Sequence, residues 1–236
     1  MFPVTPIRGL SAGAMIVAID GPAGAGKSTV ARRLADRLGF RYLDTGAMYR
    51  AVTWLAQQHG VDLEDEQAVA ELARSNPVAL DGDHVEIAGC DVSTAIRDVG
   101  IDRVVSSVAR HEAVRAIMRE RQRDLAELGD AVIEGRDIGR VVCPDADVKV
   151  FLVADAPERA RRRTNERPGI GEDALATDLR LRDERDRPQL QPADDAETID
   201  TTALSVDEVV AGIEELITAA EDDARDRARG RGVAGA

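Results

Sequence analysis

The stretch "MIVAIDGPAGAGKST", Met15–Thr29, decides the fold. Its glycine-rich centre and the Lys-Ser after it fit GxxxxGK[ST], with Gly21, Gly26, Lys27 and Ser28 at the fixed positions. The spacing has a physical reason. Glycines let successive backbone N–H groups converge on one anion, an approach that Cβ atoms would obstruct. The segment Gly21, Pro22, Ala23, Gly24, Ala25, Gly26, Lys27, Ser28 and Thr29 therefore reads as a nucleotide phosphate site. Lys27, expected in a solvent-facing loop, would reach the β/γ-phosphates, and the Ser28 hydroxyl is the expected Mg²⁺ ligand. "MIVAID" before the loop is a continuous apolar run of buried-strand length. "STVARRLADRLG" after it carries Val30, Ala31, Leu34, Ala35 and Leu38 on one helical face and ends at Gly39. Strand, loop and helix together bring a helix N-terminus to the anion.

Outward from that unit, helices alternate with strands. "FRYLDTG" reads as strand and turn, giving a βαβ unit with a parallel sheet, and "AMYRAVTWLAQQHG" and "EDEQAVAELARS" as helices. "PVALDGDHVEIAG" breaks the pattern: two short alternating runs joined by Asp-Gly-Asp signal a hairpin. It predicts a small insertion at about 76–100. Helical spacing returns from Ile101 to Leu128, as one helix or as two meeting near His111. "DAVIEGRD" and "DVKVFLVA" are strand-length runs followed by polar residues, and ligands of open α/β sheets bind at that end. Helix, Pro/Gly loop and helix follow, then a short strand "ETIDTT" and an amphipathic helix opened by a Ser205/Glu208 capping box.

The chain has 236 residues and a formal net charge of −13. An acidic balance argues against a nucleic-acid partner, because phosphate backbones select basic surfaces. No apolar run reaches the roughly 18–20 residues of a membrane span, and residues 1–14 lack a basic stretch leading into an apolar one. They are expected to form a disordered leader, with a frayed tail at 223–236. Cys90 and Cys143, in unrelated contexts, read as reduced structural thiols of a cytoplasmic protein.

The loop alone leaves GTPases, ATPase motors and small-molecule kinases open. An Asn-Lys-x-Asp guanine signature is missing, and Arg50, Arg136 and Arg182 stand at expected strand or helix ends. Arginine's planar fork grips phosphate, and an enzyme passing a phosphoryl group between two anions needs positive charge around both. For any one of them a surface ion pair is the bland alternative.

"DTGAMYR" (Asp44–Arg50), "AIRDVGIDRVVSSVA" (Ala95–Ala109), "EGRDIG" (Glu134–Gly139) and "RDERD" (Arg182–Asp186), with the loop, resemble bacterial cytidylate kinase in order and separation over residues 15–220. The resemblance implies an α/β P-loop kinase over residues 15–222: a five-stranded parallel sheet flanked by helices, an inserted substrate-binding domain and a helical lid at about 158–187. The implied reaction passes the γ-phosphoryl of ATP, with Mg²⁺, to CMP or dCMP in a monomer. Another nucleotide kinase, or a non-enzymatic nucleotide switch, is the alternative.

By position, Arg50 and Arg136 would grip the CMP phosphate, and Thr45 and Tyr49 would line the acceptor pocket. Ser106, Arg115 and Asp137 would read cytosine, while Arg182 and Asp186 would approach from the lid side. Lys27, Arg136, Arg182 and Asp186 would serve the transfer itself. One or more of Arg159, Arg161, Arg162 and Arg163 would meet the ATP phosphates. The residues themselves agree on Asp137: a carboxylate accepts from the cytosine amine and meets only another acceptor in uracil. A structural ion pair with Arg136 or Arg140 is its bland alternative, and a bond back to its own helical turn is that of Ser106. The sequence departs from the family at Gln189, where an arginine is usual, and in a short stretch between Arg163 and Glu172.

Overall fold

The computed structural model describes residues 14–167 and 169–233, so the expected leader lies outside the described residues except at its last position. Five parallel strands form the central sheet in the order β2-β6-β1-β7-β8: β1 (Ile16–Asp20), β2 (Arg41–Asp44), β6 (Ala131–Glu134), β7 (Val148–Val153) and β8 (Glu197–Asp200). The register pairs Ile16 with Ala131 and Val17 with Val148. β1 sits in the middle because its residues are apolar on both faces, which only a doubly covered strand tolerates. α1 (Lys27–Leu38) and α8 (Val206–Val233) cover one face through Val30, Leu34, Val210 and Ile213.

α1 ends at Gly39 in the left-handed conformation, and the Ser205/Glu208 box forms in both directions at the start of α8. α8 continues to Val233, into the stretch expected to be frayed. Ion pairs one turn apart, Arg225 with Glu221 and Arg227 with Asp223, favour that continuation. Among the described residues no helix is long and apolar enough to cross a membrane.

A second layer is built from α2 (Thr45–Gln58), α3 (Glu66–Ser75), α4 (Val99–Ala109) and α5 (Glu112–Ala126). The turn expected after β2 is absent. Asp44 accepts from the Ala47 N–H and caps α2 directly, so helix follows strand without a connection. The break near His111 is real, with His111 at the N-cap of α5.

The hairpin forms as β3 (Ala79–Asp81) and β4 (His84–Ile87), turned by Gly82 at φ 58. A third strand, β5 (Cys90–Asp91), follows Ala88 and Gly89, both at positive φ. Its two residues are too few to show alternation. This small sheet shares one apolar cluster with α2 to α5 through Val85, Ile87, Met48, Val108 and Met118. Cys90 is exposed there, and Cys143 is half-buried; both are free thiols. α6 (Ala156–Glu166) and α7 (Glu172–Asp186) form a helical pair at the carboxyl end of the sheet.

Candidate active site

The loop after β1 leads into α1 at the point where chain connections diverge to either side of the sheet. Gly21 lies at φ 143, and a Cβ there would stand 2.1 Å from the Leu152 carbonyl oxygen. Only glycine lets β1 hand over so close to β7. Gly26 caps α1 in the left-handed conformation, without a side-chain cap and with no acid in the first turn. Those N–H groups are therefore free to receive an anion. Gly24, Gly26, Lys27, Ser28, Thr29 and Ala23 line a cavity of about 450 Å³, while Gly21, Pro22 and Ala25 shape the loop behind it.

Lys27 differs from expectation. It is 6% exposed rather than solvent-facing, and its Nζ donates to the Pro22 carbonyl at 2.8 Å. The β6 end and the arginines beyond it close over the loop, which loop composition does not reveal. Burial, reinforced by Arg136, pushes the Lys27 pKa down to about 7. An anion beside it would restore its charge.

The same cavity brings together Thr45, Tyr49, Arg50, Ser106, Arg115, Arg136, Asp137, Arg182 and Asp186. Asp44 positions Arg50, accepting from its Nη2 at 2.7 Å, and Arg97 stands 3.3 Å from the same oxygen. Thr45 Oγ1 donates to the Glu134 carbonyl at 2.7 Å. Gly135 permits this closeness, since a Cβ there would lie 2.8 Å from that hydroxyl. Arg115 Nη2 donates to Asp137 Oδ2 at 2.5 Å, both side chains being buried. Asp137 thus pairs with Arg115, not with Arg136 or Arg140. Ser106 Oγ donates to Asp186 Oδ1 at 3.1 Å rather than to its own turn, and Arg136 Nε donates to Asp186 Oδ2 at 3.0 Å. Tyr49 is buried, which pushes its phenol up to about 12.

Two of these arginines hold donors in reserve. Arg50 Nε and Arg182 Nε are buried without a hydrogen-bond partner. Burial and then Arg136 push Arg182 down to about 10. Ten basic and six acidic side chains line the cavity among the described residues, in a chain whose net charge is −13. The site is a cationic pocket in an acidic protein, suited to more than one phosphate.

The four arginines named for the lid part company. Arg161 pairs with Glu158 and Arg162 donates to the Thr201 carbonyl at 2.6 Å. Arg159 Nη1 donates to the Ala23 carbonyl at 3.1 Å and to Asp183. Arg163 alone of the four lines the cavity, joined by Arg167, which motif reading missed. Asp44, Arg97, Asp102 and Glu134 were missed as well; each is a common residue type whose meaning depends on a partner far away in sequence. Gln189 and Arg185 line the cavity, whereas Arg187 faces the outer groove between α6 and α7.

Ser28 Oγ donates to Glu134 Oε2 at 3.0 Å, and Tyr42 donates to the other oxygen at 2.5 Å. Burial, and then the Asp44 charge, raise the Glu134 pKa, so a cation beside it would relieve both. Hard oxygen donors suit Mg²⁺. No group of three or more His, Cys, Asp or Glu among the described residues forms a metal cage, so phosphate and water would supply the remaining ligands. The donor set fits the ion.

A family model described as cytidylate kinase matches residues 17–219. The chain is 48% identical over 213 residues to a cytidylate kinase of Geobacillus kaustophilus, covering 85% of this chain and 95% of the relative. It is 46% identical over 213 residues to that of Bacillus subtilis, with the same coverage. Among solved structures it is similar to an uncharacterised protein from Eubacterium ventriosum, with a TM-score of 0.52 and 16% identity, covering 86% of this chain and 98% of that one. That likeness concerns the fold alone.

Proposed function

The chain belongs to the cytidylate kinase family, and from that premise we infer that it transfers the γ-phosphoryl of ATP to CMP or dCMP, giving ADP and CDP or dCDP. The observation that carries this reading is the pairing of two anion sites across one cavity. The uncapped start of α1 with Lys27 lies on one side, and Arg50, Arg136 and Arg182, two of them with unpartnered N–H groups, lie on the other.

The roles divide by chemistry. The loop Gly21–Thr29 binds the ATP phosphates through backbone N–H groups and Lys27. Arg50 and Arg136 grip the CMP phosphate. No side chain has to act as a strong base, because that phosphate, with a second pKa near about 6, is already a dianionic nucleophile near neutrality. It attacks the γ-phosphorus, the bond to the β-bridging oxygen breaks, and ADP leaves with that electron pair. Lys27 and Arg182 meet the charge that spreads over the equatorial oxygens. Ser28 and Glu134 would hold Mg²⁺, which supplies charge neutralisation at the β- and γ-phosphates. Asp137, oriented by Arg115, accepts from the cytosine amine, with Ser106 beside it. Thr45 and Tyr49 wall the pocket, and Asp186 ties Ser106 to Arg136. α6 and α7 act as the lid that excludes water, without which ATP would be hydrolysed. A cytoplasmic monomer acting on free nucleotides, with the 76–100 region as an inserted substrate-side module, completes the proposal.

The test is ADP release from ATP with CMP, dCMP, UMP, AMP or no acceptor. CMP and dCMP are expected to support turnover far above the rest. A preference for AMP would assign another nucleotide kinase, and slow hydrolysis indifferent to acceptor would make the protein a switch.

A further inference from the structure

Asp102 lies on α4 one helical turn before Ser106, and its side chain is 12% exposed. Arg163 Nη2 donates to Asp102 Oδ2 at 2.5 Å, and Arg167 Nη2 donates to the same oxygen. Arg182 Nη1 stands 3.9 Å from Oδ1. One carboxylate thus gathers guanidinium groups from α6, from the connection after it and from α7. All four residues line the cavity. α4 belongs to the acceptor side, so the contact crosses from that side to the lid.

The arrangement is unlike the ordinary ion pairs of this chain. Arg103, the next residue on α4, is more than half exposed and only 3.8 Å from Asp178, a pair that solvent screens. At Asp102 burial alone would raise the carboxyl, but Arg182, Arg163, Arg50 and Arg167 outweigh it and hold it below the usual carboxylate range. Three guanidinium groups brought into one small cavity repel each other and scatter among many rotamers unless a counter-charge gathers them. Asp102 gathers them, and Arg182 Nε, 3.8 Å from Asp186 Oδ2, stays without a hydrogen-bond partner.

We propose that Asp102 is a positioning residue for phosphoryl transfer, holding Arg163, Arg167 and Arg182 in the cavity with N–H groups free for phosphate oxygens. It touches no substrate itself. The proposal rests on the phosphotransferase reading above. Removing its charge has two opposed effects. The cavity becomes more positive, which favours a bound anion in the ground state, while the arginines lose their shared anchor and with it their alignment in the transition state. Loss of kcat without a rise in KM for ATP is the signature, whereas a purely structural role raises KM.

The experiment measures initial rates with ATP and CMP for the full chain and for Asp102→Asn, Arg163→Gln and the double variant. For Asp102→Asn, kcat is expected to fall roughly 10- to 100-fold with KM for ATP unchanged or lower. The double variant should lose less than the product of the single losses, because both act through one contact. An unchanged kcat in folded Asp102→Asn, a raised KM for ATP, or losses that multiply would each overturn the proposal. If Asp102→Asn does not fold, Asp102→Glu carries the test: it keeps the charge but moves it by a methylene. There kcat should fall at constant KM, and full kcat overturns the proposal. Failure of the natural protein to phosphorylate CMP would instead sink the phosphotransferase reading, a result seen before any variant is compared.

Discussion

Asp137 and Arg115 meet inside the protein, so base choice is tied to a buried charge pair. Asparagine at 137 keeps an acceptor for Arg115 and gains a donor for uracil O4. Asp137→Asn is expected to narrow the gap between CMP and UMP in kcat/KM by about 1–3 kcal/mol, the scale of one good base contact. An unchanged ratio in a folded variant would reassign Asp137 to structure. Gln189 poses the complementary question. It lines the cavity with Arg185, but it offers no charge. A charged donor is worth about 1.5–3 kcal/mol against roughly 0.5–1.5 for a neutral one. Gln189→Arg should therefore lower KM for CMP several-fold and change kcat little, as initial rates at varied CMP would reveal. No change in KM would mean that Arg185 already meets the phosphate. Motifs made these residues legible, because the chemistry is carried by their types at fixed spacing. Asp102 and Arg167 escaped because nothing local distinguishes them; 65 positions separate the partners of their bond.

At the scale of elements, β1 and the turn after β6 are joined by Asp20. This buried carboxylate accepts from the Ile138 and Gly139 N–H groups at 2.8 Å each. Burial pushes it from 3.8 up to about 6. Between about pH 4 and 6 the folded protein keeps that proton while the unfolded chain has released it. Its contribution to stability is thus full below about pH 4 and is lost as pH rises through about 6. Asp20→Asn has no such proton. Its stability relative to the natural protein should improve between about pH 4 and 7, by no more than about 1.36 kcal/mol per pH unit. Urea unfolding of both proteins at the two pH values decides it, and a difference independent of pH would contradict the account. The strand–loop–helix unit was readable because hydrophobic period and glycine placement agree from Met15 to Gly39. β5 was not, being two residues long, and the helix start at Thr45 was hidden because a strand-ending aspartate doubles as a cap.

For the whole molecule, the contrast between an acidic exterior and a cationic cavity sets what can bind. Long polyanions meet the overall charge of −13, whereas a small nucleotide reaches the pocket and relieves the crowding of Lys27 and Arg182. ATP at about 100 times its Kd should add roughly 2.7 kcal/mol of stability. For a chain of this size that is a rise in Tm of roughly 5–10 °C. Cytidine without phosphate should give almost none, and added salt should shrink the ATP effect. Equal shifts from cytidine and ATP would show that the arginines are not the site. Net charge was legible from composition, and the motif arginines already pointed to positive charge in the site; its full extent, with Arg97, Arg110, Arg167 and Arg185 as well, was not, because it depends on which arginines fold inward.

The position of β1 in the sheet also has a consequence for how the chain is made. Ile16–Asp20 is made well before its partners β6 and β7, which begin at Ala131 and Val148. At roughly 5–20 residues per second the strand waits on the order of 6–25 seconds for its neighbours. The cluster spanning Ala47 to Met118 draws only on residues already emerged by then. A nascent chain halted once Ala126 has cleared the exit tunnel, but before Val148 has, should therefore protect the amides of α2 and α5 from hydrogen exchange while those of Ile16–Asp20 exchange freely. Protection at β1 should appear only once Val153 has cleared the exit tunnel, so the phosphate loop is synthesised before the helices of the second layer and takes shape after them.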